Sequence, residues 1–256
     1  MKSLQFGYGD HKLYGVYHFP LSTNSKQKSI LICSSVGPEF INTYRLLRNL
    51  GEQLAKSGHH VFRFDWYGCG DSWGESTDIS ISHWITDLRW AAEELINLSG
   101  NQVFSVIGLK LGAAIAWCSL KDWANLSSFI LWDPIIIGSE WMNQMQALHS
   151  KYLAKSPESR RFSSDEEILG FPLPVSVRNE ICSLDISSLP PPLSQKIHLL
   201  YSGDSKEYEA FCKSVNFPIT MEHLDIPEVW ISSLLSNHIV MSHPAINSIV
   251  GYFNRE

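Results

Sequence analysis

The chain has 256 residues, 26 acidic and 20 basic, for a formal net charge of −6, with 44% apolar and 18% charged side chains. That length supports one large domain or two small ones with a sizeable core, and the composition is globular rather than disordered. The acidic balance argues against a nucleic-acid binder, which would normally carry a basic stripe, and against an electrostatic membrane anchor.

The elements follow from apolar patterning. The opening MKSLQFGYGDHKLYG carries no apolar signal core. Residues Ser29–Ser34 (SILICS) form a short apolar run, the mark of a strand buried on both faces, and a turn follows at Gly37-Pro38. Tyr44–Ser57 places Leu46, Leu47, Leu50, Leu54 and Ala55 at helical spacing before Gly58. His60–Phe64 is the next strand, followed by the glycine-rich loop WYGCGDSWGES. Trp84–Leu98 reads as an amphipathic helix, Val103–Ile107 as a strand, Gly112–Leu120 as an Ala-rich helix and Phe129–Trp132 as a strand. This alternation implies an α/β fold, a mostly parallel sheet with helices on both faces and right-handed crossovers. Between Pro134 and Leu193 the pattern turns helical with polar patches, including SPESRRFSSDEE and the prolines 190–192. Roughly 60 residues make a marginal core alone, so 134–193 is expected to be a cap inserted into a core formed by 1–133 and 194–256. Lys196–Tyr201 and Ile219–His223 read as strands, Ser202–Ser205 as a turn and Pro244–Phe253 as the last helix.

No window approaches the roughly 18 apolar residues of a spanning helix, so no membrane association is expected. The five cysteines, Cys33, Cys69, Cys118, Cys182 and Cys212, show neither CxxC spacing nor a paired framework. They read as buried free thiols of a reducing compartment, and a cytoplasmic location is expected.

Ligand chemistry in open parallel sheets lies beyond the C-terminal strand ends. After Val103–Ile107 the chain reads Gly108-Leu109-Lys110-Leu111-Gly112. Glycines two residues either side of a central position, between strand and helix, are the frame of a nucleophile elbow, G-x-S-x-G. Here the centre is lysine. The loop Ser35-Val36-Gly37-Pro38 stands where a backbone N–H would serve an oxyanion hole. Asp204 and His238 follow in the order acid, then histidine, with His243 as the rival imidazole.

These residues resemble the α/β-hydrolase superfamily, most closely its serine-aminopeptidase-like and exosortase-associated hydrolase branch. The resemblance is carried by PEFINTYRLLRNLGEQLAKSGHHVFRFDWYGCGDSWGES, VIGLKLGAAIA and LWDPIIIGSEWMNQMQALH. In that branch the elbow often reads GLRLG, with a cation in place of the nucleophile. The resemblance implies an α/β-hydrolase fold with a cap over the sheet, but does not transfer serine chemistry to position 110.

Three partners for Lys110 stay open: an ion pair with Asp133 at the end of the neighbouring strand, a carboxylate or phosphate of a ligand, and a covalent Schiff base. Candidate catalytic groups are Lys110, His238, Asp204 and Asp133; candidate substrate contacts are Val36, Gly37, Leu111, Trp141 and Met145. Trp141, Met142, Met145 and Leu148 recur at helical spacing, either as core or as the wall of an acyl pocket. A relocated nucleophile would be Cys33, Ser34, Ser35, Cys69 or Ser72, with Ser35 best placed; Ser72 reads rather as a turn residue. His59, His60, His198 and His223 read as packed or surface residues. No metal spacing and no phosphate-binding glycine motif in its strand–helix setting is present, so no metal and no cofactor are expected. Three functions compete: binding of an acyl or carboxylate-bearing small molecule, such as a carrier-tethered biosynthetic intermediate, with Lys110 as anion anchor and His238 as acid or base; an esterase or thioesterase with a relocated nucleophile; and a non-catalytic scaffold.

Overall fold

The computed structural model describes residues 1–22, 27–75, 77–155, 165–225 and 242–255. Its main sheet has eight strands in the order β1-β2-β4-β3-β5-β6-β9-β10. These are β1 Lys2–Tyr8, β2 His11–His18, β3 Ser29–Cys33, β4 His60–Phe64, β5 Phe104–Leu109, β6 Leu126–Trp132, β9 Lys196–Tyr201 and β10 Ile219–His223. β1, β2 and β4 pair antiparallel in that order; the pairs from β4 through β10 are parallel.

Alternation along the strands builds two cores. Leu31, Phe62, Val106 and Phe129 join one apolar cluster, with α2 (Ile81–Ser99) and α3 (Leu111–Ser119) packed on it. Ile30, Val61, Ile107 and Ile130 join the other, under α1 (Glu39–Lys56) and α7 (His243–Arg255). Side chains buried on both faces explain why the central strands read as continuous apolar runs.

Several boundaries differ from the sequence reading. α1 opens at Glu39, directly after Pro38, rather than at Tyr44; proline's fixed φ suits a helix start. The β1–β2 hairpin escapes the reading because its strands mix polar with apolar residues, exposed along most of β1 and half-buried at the start of β2. α6 (Ser205–Ser214) escapes because Phe211 is its one buried residue. The segment between β6 and β9 holds α4 (Gly138–Lys155), a two-residue hairpin β7 Glu167–Ile168 with β8 Phe171–Pro172, α5 (Val175–Cys182) and a 3-10 turn at Ile186–Ser188. Its Trp141, Met145, Ile168, Val177 and Ile186 join the cluster that contains Phe129 and Leu131.

All five cysteines are free; Cys33 and Cys69 are buried, whereas Cys182 is exposed on α5, against the expectation for it. No helix among the described residues is long and apolar enough to cross a membrane.

Candidate active site at the strand ends

β5 ends in a sharp turn into α3, and Lys110 is its apex, with φ 53° and ψ −122°. A non-glycine residue held there stores strain of about 1–3 kcal/mol and persists only when its surroundings impose it. They do so through the backbone. Lys110 N donates to Trp132 O at 3.0 Å, and Lys110 O accepts from Ala113 N at 3.1 Å. The flanking glycines are sterically required: a Cβ at Gly108 would lie 2.6 Å from Ala113 Cα, and one at Gly112 would lie 2.1 Å from the Ser34 carbonyl oxygen. The elbow is thus fully formed around a lysine.

Among the described residues, the carboxylate within ion-pair distance of Lys110 is Glu39 rather than Asp133, one of the three partners weighed from the sequence. Lys110 Nζ lies 3.8 Å from Glu39 Oε1, with the two side chains 13% and 3% exposed. The other Glu39 oxygen accepts from Ser35 Oγ at 2.8 Å. Glu39 is the first residue of α1, where the helix dipole favours a carboxylate. Asp133, buried at the end of β6 with φ 43°, turns toward β9. Its N donates to Leu200 O, and its two carboxylate oxygens accept from Ser202 N and Ser202 Oγ, all at 2.8 Å.

Asp204 is not buried as a triad acid would be. It caps α6, accepting from Lys206 N at 3.1 Å, and its side chain is 70% exposed. That backbone hydrogen bond, with the nearby Lys206 charge, holds its carboxyl below the usual range. His238 lies outside the described residues; His243 is the exposed first residue of α7.

Lys110, Asp133, Ser202, Asp204, Lys206, Glu207 and Tyr208 line one cleft of about 340 Å³. A smaller recess of about 90 Å³ adjoins Lys110 and is lined by Ile135, Glu140, Trp141, Glu207 and Tyr208. Burial and the neighbouring Glu140 push the Glu207 carboxyl up, against the pull of Lys110. Of the expected substrate contacts, Trp141 lines the recess and its ring comes 3.7 Å from a Cβ built on Gly37. Val36 is buried in the loop after β3, and Leu111 supplies the first N–H of α3, which has no intrahelical acceptor. Met145 is buried in the apolar core. Glu39, Ser202, Glu207 and Tyr208 were not singled out from the sequence; the signal available for Glu39 was an acid directly after a Gly-Pro turn.

The relocated-nucleophile candidates fare unevenly. Ser35 is fully buried and its hydroxyl donates a hydrogen bond to Glu39 Oε2. Ser72 is a turn residue as read, donating to Asp65 O at 2.5 Å and accepting from Tyr14 N at 2.8 Å. Burial pushes the Cys33 thiol up and the Cys69 thiol up to about 12, away from thiolate chemistry. Ser34 Oγ is buried without a hydrogen-bond partner among the described residues. His198 bonds Thr220 Oγ1 at 2.6 Å and Glu222 Oε2 at 3.2 Å and stacks on Tyr252, within β9 rather than at its C-terminal end. Among the described residues no group of three or more His, Cys, Asp or Glu side chains could hold a metal ion.

An eight-stranded sheet in this order, with an elbow at the end of β5, defines the α/β-hydrolase class. The chain belongs to the serine aminopeptidase S33 family, whose model matches residues 25–171. Solved structures agree on the fold. A Pyrococcus furiosus esterase is 18% identical with a TM-score of 0.67, covering 99% of this chain and 89% of its own. The Est1E protein of Butyrivibrio proteoclasticus, solved with ferulic acid bound, is 13% identical with a TM-score of 0.66, covering 98% and 96%. The α/β-hydrolase GrgF of a Penicillium species is 15% identical with a TM-score of 0.67, covering 99% and 98%. No curated protein has a matching sequence.

Proposed function

We propose that this chain binds a small acyl or carboxylate-bearing molecule in the cleft at the strand ends and does not use a serine nucleophile at the elbow. The observation that carries the reading is Lys110 itself: the strained elbow backbone is kept, with a lysine rather than a nucleophile in the lining of the cleft. Glu39, tied down by Ser35, steadies that charge from behind. The Leu111 N–H and the Val36 loop are the backbone groups assigned to the ligand carbonyl, and His238 is the residue assigned to any proton transfer. Segment 134–193, through Trp141, forms the cap side of the site. A carrier-tethered acyl group is one ligand of this class.

The test pairs covalent labelling with binding. An activated phosphonate probe of serine nucleophiles should label no residue stoichiometrically. Binding of short carboxylates, followed by calorimetry, should weaken about tenfold in Lys110→Met, the size of one charge-assisted hydrogen bond. Stoichiometric serine labelling together with ester turnover lost in His238→Ala overturns the reading. That result would favour the second one, ester or thioester hydrolysis with a relocated nucleophile. Its support is the family and the esterases that share the fold; against Ser35 in that role stand its burial and its bond to Glu39.

A further inference from the structure

A second cavity, of about 250 Å³, lies at the antiparallel edge of the sheet, two strands away from β5. Its lining includes Ser3 of β1, Tyr14 and Val16 of β2, Tyr44 and Arg48 of α1 and Arg63 of β4. Arg63 is 7% exposed, yet no carboxylate among the described residues comes within ion-pair distance of it. Its Nε donates to His18 Nε2 at 3.1 Å and its guanidinium lies 5.4 Å from the centre of the Tyr44 ring. Asp65 acts on it only at longer range. His18 must present a lone pair to Arg63 and so is neutral there. Arg48 stands at the mouth, pairing with Glu52 at 2.9 Å, and Arg45 lines an adjoining pocket with Arg48. A buried guanidinium is expensive without a compensating anion. Here the polar side chains of the lining are two guanidiniums and three hydroxyls, all hydrogen donors, and none is a carboxylate among the described residues. Arginine forks match tetrahedral oxyanions bidentately.

We propose that this cavity is an oxyanion site for a phosphoryl group, held by Arg63 and Arg48 with the Tyr14 and Tyr44 hydroxyls. It is independent of the cleft at Lys110. The class of ligand is inorganic phosphate or a phosphomonoester, the latter placing its organic part against the tyrosine rings.

The experiment is titration of the full chain with inorganic phosphate and with phenyl phosphate, read by phosphorus NMR line broadening and calorimetry. Variants are Arg63→Lys, Arg48→Gln, Tyr44→Phe and, as control, Lys110→Met. The expected result is saturable millimolar or tighter binding, weakened about tenfold or more in Arg63→Lys and Arg48→Gln and unchanged in Lys110→Met. Tighter binding of phenyl phosphate identifies the monoester as the source; equal binding identifies free phosphate. Arg48→Gln and Tyr44→Phe lie on the helix surface or the cavity wall, so the test stands even if Arg63→Lys fails to fold. Absence of saturable binding to the wild type overturns the proposal. So does binding that is lost in Lys110→Met and kept in Arg48→Gln, which would place the anion at the strand-end cleft.

Discussion

The cleft at the strand ends and the cavity over Arg63 treat a buried cation in opposite ways. Lys110 sits among carboxylates, with Glu39 at 3.8 Å and Asp133, Asp204 and Glu207 along the same cleft. Arg63 is buried too, and the polar and ring contacts it makes among the described residues are to His18 and Tyr44, both neutral. The first site is balanced from within the chain and reads a ligand through a mixture of signs. At the second, Arg63 has no carboxylate within ion-pair distance among the described residues, while Arg48 on the same cavity pairs with Glu52. A net charge of −6 predicts neither arrangement, because binding depends on the local field.

The largest effect should come from the elbow frame. Gly112→Ala drives a methyl into the Ser34 carbonyl and should cost about 3 kcal/mol or more in urea unfolding, whereas no glycine of this kind lines the Arg63 cavity. Next is the ion pair. Lys110→Met leaves Glu39 buried without its cation and should cost about 2–3 kcal/mol. Glu39→Gln with Lys110→Met should recover most of that, giving a coupling of about 1–2 kcal/mol. The corresponding cycle of Arg63→Met with Asp65→Asn should show little coupling; a value as large as the first would erase the contrast between the two sites.

A pH series should sharpen it further. Burial, with the Arg63 charge adding, presses His18 down from 6.5 to about 4, and burial pushes Asp65 up from 3.8 to about 6. His18, depressed on folding, contributes stability that is lost as pH falls from 6.5 to about 4. Asp65, raised on folding, contributes stability that is lost as pH rises from 3.8 to about 6. In the wild type the two oppose each other in that window. Asp65→Asn should therefore make the urea midpoint climb with pH between about 4 and 6.5, and His18→Asn should make it fall. The smallest effect is at the exposed end of the cleft: Asp204→Ala should weaken α6 slightly through loss of its cap and leave carboxylate binding by calorimetry unchanged, while Asp133→Asn, which loses charge-assisted bonds from Ser202, should alter it.

The sheet was legible where burial on both faces makes a strand a continuous apolar run, as in Ser29–Cys33 and His60–Phe64. The elbow was legible because its two glycines answer to steric contacts that no other residue satisfies. The partner of Lys110 was not, because Glu39 comes from a helix start 71 positions earlier, and which carboxylate reaches an ammonium is decided by packing across strands. Asp204 followed the order of triad elements, but the short polar helix it caps gave no apolar period to reveal the cap. Arg63 was hidden inside HVFRF, where one charge in an apolar run looks like an interruption rather than a cavity wall.

The steric demands of the elbow fall on Gly108 and Gly112, where an added Cβ would come within 2.6 Å of Ala113 Cα and 2.1 Å of the Ser34 carbonyl oxygen. The turn itself is therefore set by its glycines, while the central side chain is tied to the buried carboxylate of Glu39. Exchanging a reactive tool for an electrostatic one at this apex therefore takes a second change, a counter-charge placed at the head of α1.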